Sequence, residues 1–331
     1  MKLSDLRLRL FSYLCRVFFK EQMETIAFEN YNLSYERPIL TIGMFDGVHL
    51  GHRSLLEELV CSAHSVGVKA VVVSFLQHPR QVLNATDNGF ALLQDSKKRA
   101  EGIASCGVDC LLWLDFTKEM AAMEADEFLD MLIEKVNPCE VLLGYDNRFG
   151  KKGSRVFDEI ISNGNYKDIK VRRSDCRVLC EMKEVSSTQI RKALQEGNVS
   201  LATKMLSVPY VIGGVVESGR QIGRQIGFPT ANIRLDNGVL LPLEGVYVVR
   251  VQIAQQRYFG VLNLGKKPTV DKDEKTCEVH ILDFEQQIYN KYIEIEFISY
   301  LRSQKRFESL EELKQQIAED CEKARVELSK I

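Results

Sequence analysis

Proline, tryptophan and histidine are scarce in this 331-residue chain, which has seven prolines, one tryptophan and five histidines. The nine cysteines include no Cys-x-x-Cys pair, and no histidine stands beside the pairs spaced four apart, so neither a zinc site nor a disulfide framework is predicted. A formal net charge of -2 lacks the basic excess typical of nucleic-acid-binding proteins. The hydrophobic content of 45% indicates a globular protein, and the length favours about two domains.

Long uninterrupted hydrophobic runs are also absent, which argues against a transmembrane helix or a signal peptide. Within the first 22 residues, Arg7, Arg9 and Arg16 interrupt a series of leucines and phenylalanines. We interpret residues 1–37 as an N-terminal extension, and a basic amphipathic helix at a membrane surface is the alternative for its first part. Because no targeting segment is recognised, the sequence predicts a cytoplasmic protein with no membrane partner.

Strand and helix patterns alternate between residues 38 and 198. The predicted strands are residues 38–43, 69–75, 110–115, 140–144 and 169–173. The predicted helices are residues 52–64, 94–105, 117–136, 155–163 and 187–195. This alternation predicts an α/β domain over residues 38–198, with a parallel sheet flanked by helices. Ligands of such sheets bind at the carboxyl ends of the strands.

A different pattern begins at about residue 209. Short strands separated by glycine, proline, asparagine and aspartate are predicted at residues 210–217, 245–253, 257–263, 276–282 and 291–298. They predict a small antiparallel β-barrel, and a helix at about residues 309–329 follows it. We therefore place a linker at residues 199–208 and a second domain at residues 209–331.

The most informative motif follows the first predicted strand and reads Gly43-Met44-Phe45-Asp46-Gly47-Val48-His49-Leu50-Gly51-His52. Two histidines stand where the strand turns into a helix. Free backbone N–H groups and the positive end of the helix dipole at such a turn suit a phosphate. Imidazoles placed there can stabilise the charge that develops on an α-phosphate under attack. The motif thus favours nucleotidyl transfer over two buried structural histidines.

Two further motifs fit a phosphate ligand without requiring one. The first is Ser186-Ser187-Thr188-Gln189-Ile190-Arg191, which either caps a helix or holds a triphosphate. The second runs from Gly219 to Asn232 and has glycines at every fourth position, which allow close approach to a nucleotide. In it, Thr230 and Asn232 offer oxygens that suit Mg²⁺, although a hairpin with turn glycines remains the alternative.

Glu278 lies on a predicted strand and shares one face with His280. It is either a solvated carboxylate or a general base that takes a proton from an alcohol. By contrast, the segment from Gly260 to Lys267 only approximates a phosphate-binding P-loop. It lacks the final Ser or Thr, and Pro268 follows where a helix should begin, so a strand and a turn are predicted instead.

Taken together, these segments resemble the bacterial bifunctional riboflavin kinase/FMN adenylyltransferases, also called FAD synthases. The resemblance covers nearly all of residues 38–331. In the first half it rests on the two-histidine motif, on Gly144-x-Asp146-x-Arg148-Phe149-Gly150 and on Ser186-Ser187-Thr188-x-x-Arg191. In the second half it rests on Gly227-Phe228-Pro229-Thr230-Ala231-Asn232, Gly245-Val246-Tyr247, Asn263-x-Gly265-x-x-Pro268-Thr269, Glu278, Leu301-Arg302 and Phe307.

The resemblance implies a Rossmann-like nucleotidylyltransferase domain followed by a riboflavin kinase barrel, with riboflavin, FMN and ATP as substrates and Mg²⁺ as cofactor. It makes Glu278, His49 and His52 catalytic and makes Thr230 and Asn232 metal ligands. It assigns nucleotide or phosphate binding to Gly43, Phe45, Asp46, Gly51, Ser187, Thr188, Arg191, Gly223, Arg224, Gly227 and Asn232. It assigns flavin binding to Asp146, Arg148, Arg302 and Phe307.

The chain departs from the family pattern at Met44, where asparagine is usual, at Asn147, where phenylalanine is usual, and at Gln77, where proline is usual. A kinase with a weakened adenylyltransferase half is therefore one alternative, which the substitution Met44→Asn tests. A non-catalytic flavin-binding protein is another alternative. An aminoacyl-tRNA synthetase lacks support because no Lys-Met-Ser-Lys-Ser-like loop or basic surface is found. We expect a monomer or a weak homo-oligomer.

Overall fold

The computed structural model describes residues 22–32, 35–83, 90–151, 155–219, 221–266 and 275–330. The chain divides into two compact units, the first ending at Ser186 and the second beginning at Ser187. The interrupted apolar stretch of residues 1–21 and the motif residues Pro268 and Thr269 lie outside the described residues. Within these ranges, no helix has both the length and the apolar character that crossing a membrane requires.

The first unit is built on a seven-stranded sheet in the order β1-β4-β3-β2-β5-β7-β6. Neighbouring strands are parallel except β6 and β7. The strands are β1 (Glu24–Ala27), β2 (Ile39–Ile42), β3 (Ala70–Phe75), β4 (Cys110–Leu114), β5 (Glu140–Leu143), β6 (Asn165–Tyr166) and β7 (Ile169–Arg173), and a separate hairpin joins β8 (Leu179–Cys180) to β9 (Lys183–Glu184). The five predicted strands are confirmed as β2, β3, β4, β5 and β7, whereas β1 and the short β6, β8 and β9 were not predicted.

Six helices of the first unit are described: α1 (Leu50–Ser65), α2 (Pro79–Leu83), α3 (Ser96–Ala104), α4 (Lys118–Ala122), α5 (Ala125–Val136) and α6 (Arg155–Asn163). The single helix predicted at residues 117–136 is wrong, because the chain forms α4 and α5 there. Met123 leaves the helical conformation, and Glu124 starts α5 through a capping box with Glu127.

The central strands of this sheet are buried on both faces, since every residue of β2 and of β5 is buried. Such strands consist of nearly continuous apolar residues, as expected for a parallel sheet that carries helices on each side. One face packs against α1 through Leu56 and Leu59, and the other against α5 through Leu129 and Leu132. The carboxyl ends of β2, β3 and β5 are thereby held at one edge of a rigid layer.

The second unit begins with two helices, α7 (Ser187–Gln195) and α8 (Val199–Leu206). A closed six-stranded barrel follows in the order β10-β11-β14-β13-β12-β15, with antiparallel neighbours. Its elements are β10 (Val211–Glu217), α9 (Ile222–Gln225), β11 (Ala231–Leu235), β12 (Gly245–Ile253), β13 (Gln256–Lys266), β14 (Lys275–Ile281), β15 (Tyr292–Arg302) and the terminal helix α10 (Leu310–Leu328).

The predicted architecture, a parallel α/β sheet followed by a small antiparallel barrel and a terminal helix, is confirmed. The strand β11 was not predicted. The segment that resembles a P-loop is, as far as Lys266, part of strand β13 as predicted. Helix α10 packs on the barrel through Cys321 and Ala324, which join a buried cluster with Val246 and Val248.

Candidate active sites

The loop that links β2 to α1 has an uncommon backbone conformation. Phe45 and Val48 have positive φ angles of 51° and 37°, and Gly47 has one of 87°. A residue with a side chain persists in such a conformation only where its surroundings enforce it, at a cost of about 1–3 kcal/mol. Phe45 and Val48 are 2% and 1% exposed. The burial of these two side chains therefore fixes the shape of the loop at the carboxyl end of β2.

The two histidines of the loop lie against each other, with ring centroids 3.6 Å apart and ring planes at 17°. His49 Nδ1 accepts a hydrogen bond of 3.3 Å from the backbone N–H of His52, so His49 caps α1 and carries its proton on Nε2. Burial, reinforced by the neighbouring His49, lowers the pKa of His52 well below the ordinary histidine value. His52 is therefore neutral at neutral pH, and each of the two imidazoles has an N–H to donate.

Gly43 and Gly51 make room for these aromatic rings. A Cβ atom at Gly51 would lie 3.3 Å from the His49 ring, and one at Gly43 would lie 3.2 Å from the Phe45 ring. Both distances are tighter than ordinary van der Waals contact. The two glycines thus allow the close packing that places the imidazoles, and the phosphate contacts assigned to Gly43, Phe45 and Gly51 stay predictions.

Asp46 is 2% exposed, and its carboxylate binds the backbone of a neighbouring segment. Its carboxylate accepts hydrogen bonds from the N–H of Leu93 at 2.9 and 3.2 Å and from the N–H of Gln94 at 3.3 Å. Asp46 therefore ties the two-histidine loop to the segment that precedes α3. A direct contact between Asp46 and a nucleotide stays a prediction.

The segment after β5 carries Asp146 and Arg148, the two residues predicted to bind flavin in this unit. Between them, the Asn147 side chain donates a hydrogen bond to the carbonyl of Ile42, which ties the ends of β2 and β5 together. Asn147, a departure from the family pattern, thus has a structural role here. Arg148 is largely exposed, and its guanidinium lies 5.7 Å from the Phe157 ring centroid.

Arg173, at the end of β7, is a neighbour of this segment that the sequence analysis missed. Its guanidinium lies 5.4 Å from the same Phe157 ring, and it donates to the Asn147 carbonyl at 3.3 Å. Two guanidinium groups and an aromatic ring therefore gather beside the ends of β5 and β7. The signal available in the sequence was position alone, because Arg173 ends a strand whose parallel neighbour β5 also ends in a predicted site segment.

Ser187, Thr188 and Arg191 lie on the first turns of α7, as predicted for a helix that starts with hydroxyl groups. This helix belongs to the second unit, whereas His49 and His52 belong to the first. The joint action of these two groups on one nucleotide therefore stays a prediction.

A second polar site lies on the barrel, on three neighbouring strands. Glu278 of β14 is opposite Asn232 of β11 on one side and opposite Asn263 of β13 on the other. Directly paired residues of an antiparallel sheet point to the same face. The flanking Cys277 and Val279 are buried inside the barrel, so Asn232, Glu278 and Asn263 form a row on its outer face. Strand β11 brings Asn232 into this row.

The loop before β11 folds toward this row. The Pro229 carbonyl lies 2.8 Å from Nδ1 of His280, and the Phe228 ring meets the His280 ring edge-on at 5.4 Å. A Cβ atom at Gly219 would overlap the amide of Asn232. The close approach of the loop to Asn232 therefore requires a glycine at position 219.

Three more predicted nucleotide-binding residues lie in the same loop. A Cβ atom at Gly223 would collide with the Phe228 carbonyl and lie 3.3 Å from the Thr230 hydroxyl. Gly227 has a φ of 89°, which glycine adopts without strain. Arg224 is exposed on the short helix α9. The loop is therefore shaped around Thr230 and Asn232, as a cradle for a phosphate requires.

The predicted flavin residues of this unit follow β15. Arg302 donates from Nε and Nη2 to the carboxylate of Asp320 on α10, at 2.9 and 2.6 Å, so its charge is already paired. Gln304 donates to the side chain of Asn263 at 2.9 Å and thereby brings the segment that leads to the partly buried Phe307 beside the polar row. Flavin contacts of Arg302 and Phe307 stay predictions.

The side chains of Thr230 and Asn232, the predicted metal ligands, can be compared with the oxygen donors that Mg²⁺ prefers. Across the described ranges, no group of three or more His, Cys, Asp or Glu side chains is placed to hold a metal ion. Thr230 and Asn232 offer neutral oxygens beside a loop that is open to phosphate. This set suits Mg²⁺, which keeps most of its ligands as water and substrate phosphate oxygens.

Comparison with known proteins gives matches to each unit. Residues 32–189 match the family model described as FAD synthetase, and residues 206–328 match the model described as riboflavin kinase. The bifunctional riboflavin kinase/FMN adenylyltransferase of Bacillus subtilis is 33% identical over 87% of this chain and 92% of its own length. The enzyme of the same name from Escherichia coli is 36% identical over 85% of this chain and 90% of its own length.

A solved structure also matches nearly the whole chain. It is a Streptococcus pneumoniae protein described as a macrolide-efflux protein, with a TM-score of 0.83 and 31% identity. The match covers 92% of this chain and 99% of that protein. The two-unit architecture of the present chain therefore occurs in an experimentally determined structure.

Proposed function

Because the chain belongs to the bifunctional riboflavin kinase/FMN adenylyltransferases and converts riboflavin to FMN and FMN to FAD, we propose which of its residues carry out each step. The second unit phosphorylates riboflavin with ATP, and the first unit transfers AMP from a second ATP to FMN. We place the functional part of the adenylyltransferase within residues 38–198 and that of the kinase within residues 209–331, with residues 199–208 between them.

In the kinase step, Glu278 accepts the proton of the riboflavin 5′-hydroxyl as this oxygen attacks the γ-phosphate of ATP, and ADP leaves. The row formed by Asn232, Glu278 and Asn263 is the observation that carries this assignment. It places one carboxylate between two amides, next to the glycine loop. Phosphoryl transfer depends mainly on positioning and charge neutralisation, so one base in such a cradle is sufficient.

Thr230 and Asn232 would hold Mg²⁺. When bound, Mg²⁺ neutralises charge on the transferred phosphoryl group. Gly223, Arg224 and Gly227 line the ATP phosphates, and Arg302 and Phe307 border the flavin. These assignments are supported by the fit between the loop glycines and the side chains of Thr230 and Asn232.

In the adenylyl step, an FMN phosphate oxygen attacks the α-phosphate of ATP, the bond to the β-phosphate breaks, and pyrophosphate leaves. His49 and His52 donate their N–H groups to the α-phosphate oxygens, whose charge increases in the transition state. Ser187, Thr188 and Arg191 hold the departing pyrophosphate, and Asp146 and Arg148 border the flavin. The hydrogen bond that His49 Nδ1 accepts supports this role because it keeps the His49 proton on Nε2, from which it can be donated to an oxygen.

The remaining proposals concern the surroundings of the protein. We expect Mg²⁺ as the working divalent ion, small molecules as the only substrates, and a monomer or weak homo-oligomer in the cytoplasm.

A product assay tests the residue assignments. Purified protein is incubated with ATP and Mg²⁺ and with either riboflavin or FMN, and the flavins are separated by chromatography. Glu278→Gln is expected to lower FMN formation at least about 100-fold, the contribution of a general base, while still converting supplied FMN to FAD. His52→Gln is expected to lower FAD formation on the order of 100-fold and leave FMN formation unchanged.

Glu285→Gln is the matched control, because it removes an exposed carboxylate of the same unit. FMN formation by Glu278→Gln at the rate of this control would disprove the assignment of the base. FAD formation by His52→Gln at the wild-type rate would disprove the role of the imidazole. Absence of any product from the wild-type protein would favour the flavin-binding alternative.

A further inference from the structure

Arg99 is the largest fully buried side chain among the described residues. It lies on α3, whose Ser96-Lys97-Lys98-Arg99 sequence is that of a solvated helix face. An arginine is almost never fully buried unless its charge is paired. The described part of the chain gives Arg99 no ion pair, although the charges of Asp46 and Asp95 act on it. The burial of this cation therefore requires an explanation.

The guanidinium of Arg99 joins two loops at the edge of the first sheet. Its Nη1 donates to the Met44 carbonyl at 3.2 Å, in the loop after β2, and its Nη2 donates to the Leu76 carbonyl at 3.3 Å, after β3. The Trp113 ring packs against it, with its centroid 4.7 Å from the guanidinium carbon. Arg99 thus connects three neighbouring strands at the carboxyl ends where the nucleotide site is proposed.

Of the two carbonyls bound by Arg99, that of Met44 lies in the two-histidine loop of the proposed nucleotide site. It accepts a second hydrogen bond of 3.2 Å from the Ser74 hydroxyl, so its direction is fixed by two donors. The Met44 sulfur lies 3.5 Å from Arg99 Nη1, which shows that this side chain is also turned toward the guanidinium. The residue that departs from the family pattern is therefore in contact with Arg99.

The orientation of one peptide group follows from these contacts. In a trans peptide, the C=O of one residue and the N–H of the next point in opposite directions. With the Met44 carbonyl held toward Arg99, the Phe45 N–H points away from Arg99. Phe45 is among the residues predicted to bind phosphate, and a backbone N–H is a suitable donor to a phosphate oxygen.

Resting on the adenylyl-transfer function of the first unit, we propose that Arg99 is a positioning residue. It holds the Met44–Phe45 peptide so that the Phe45 N–H faces a nucleotide phosphate, and it places a positive charge behind this loop. The unpaired charge is explained by the anionic substrate, which enters on the other side of the loop. Arg99 acts through the loop and does not touch the substrate.

Three variants of the full-length protein test this role. Arg99→Met removes the charge and both donors, Arg99→Lys keeps the charge, and Lys97→Met removes an exposed charge from the same helix as a matched control. The assay measures kcat and KM for FAD formation from FMN and ATP between pH 6.5 and 9.5. Far-UV circular dichroism reports whether each variant has folded, and riboflavin phosphorylation by the second unit reports that this unit is intact.

Arg99→Met is expected to lower kcat for FAD formation on the order of 100-fold, with a smaller change in KM, since a misplaced transition-state contact has this cost. Arg99→Lys is expected to restore most of this loss at pH 7. Burial holds the pKa of Arg99 at about 10, and a lysine there has a lower pKa for the same reason. Its charge is present at low pH and lost as the pH rises, so the Arg99→Lys rate relative to wild type should fall toward pH 9.5.

The proposal is wrong if Arg99→Met keeps kcat within twofold of the Lys97→Met control. It is also wrong if Arg99→Lys shows the same loss as Arg99→Met at every pH. Should Arg99→Met not fold, the pH dependence of Arg99→Lys alone decides. A wild-type protein that forms no FAD would contradict the adenylyl-transfer function instead, which distinguishes the two failures.

Discussion

At the scale of single residues, the two stacked imidazoles show how burial selects a protonation state. His49 uses Nδ1 to cap α1, and His52 is placed over it at 3.6 Å. A second positive charge at this distance would be repelled, and burial removes the water that would otherwise stabilise it. Burial thus keeps His52 neutral, with one N–H to donate at the proposed phosphate site.

The lowered pKa of His52 predicts how stability depends on pH. Unfolding returns His52 to its ordinary pKa of about 6.5, so between that value and the lower folded pKa the unfolded chain binds more protons. Stability from this residue is therefore complete above about pH 6.5 and is lost as the pH falls. We expect the free energy of unfolding of the first unit, followed by Trp113 fluorescence in urea, to decrease from pH 7 to pH 5.

His52→Gln provides the comparison, because glutamine does not titrate in this range. The decrease toward pH 5 should be smaller in this variant than in the wild-type protein. His280→Gln, a substitution in the second unit, serves as the control and should keep the wild-type pH dependence. An unchanged decrease in His52→Gln would show that burial of His52 does not account for it.

At the scale of elements, the sequence predicted the buried strands and the strands with alternating burial, and it missed short strands without either pattern. β2 and β3 are mostly apolar, whereas β11 reads Ala-Asn-Ile-Arg-Leu and β1 reads Glu-Thr-Ile-Ala. Neither short segment has a distinctive apolar pattern, and tertiary pairing decides its structure. Asn232 was predicted as a ligand, but its alignment with Glu278 and Asn263 depends on the register of β11.

Arg99 shows that part of the candidate site, too, could not be predicted from the sequence. Two lysines precede it, and no local pattern indicates a fully buried guanidinium. The partners of Arg99 are backbone carbonyls in two loops, at Met44 and Leu76, and carbonyls have no signature in an amino-acid sequence. Side chains that contact the substrate were accessible to motif analysis, while the side chain that orders the loop was not.

Two arginine–aspartate pairs attach helix α10 to the barrel and allow a matched comparison. Asp320 is 2% exposed and pairs with Arg302, whereas Asp283 is 74% exposed and pairs with Arg325. Loss of one partner from a buried pair leaves an uncompensated charge. We expect Asp320→Asn to lower the free energy of unfolding of the second unit by about 3 kcal/mol.

Asp283→Asn is expected to leave this free energy unchanged within the error of measurement, because water screens the exposed pair. Urea titration followed by far-UV circular dichroism compares the two variants. Asp320→Asn should also slow riboflavin phosphorylation, since Arg302 precedes the segment in which Gln304 binds Asn263. Equal effects of the two substitutions would contradict the role assigned to burial.

At the scale of the whole molecule, the chain contains two compact units with separate cores. Its single tryptophan, Trp113, lies in the first unit, so Trp113 fluorescence reports on that unit alone. Circular dichroism reports on both. We expect the two signals to give urea transitions that do not coincide, which is the test for more than one cooperative unit.

Asp320→Asn sharpens this prediction because it changes only the second unit. The substitution should shift the dichroism transition to lower urea and leave the Trp113 transition where it is in the wild-type protein. A common shift of both transitions would show that the two units unfold together.

The order of strands in the two units also determines when each can be completed during synthesis. Strand β1 pairs with β4, so Glu24 has no partner until Cys110 has been synthesised. A ribosome that adds about 5–20 residues per second needs several seconds to reach Cys110. The barrel closes when β10 pairs with β15, so this edge of Val211 has no partner until Glu296 has been synthesised. In the first unit β1 therefore lacks its partner until the fourth strand of the sheet is made, and in the barrel one edge of β10 lacks its partner until the last strand is made. Chaperones can bind the exposed strand edge during that interval.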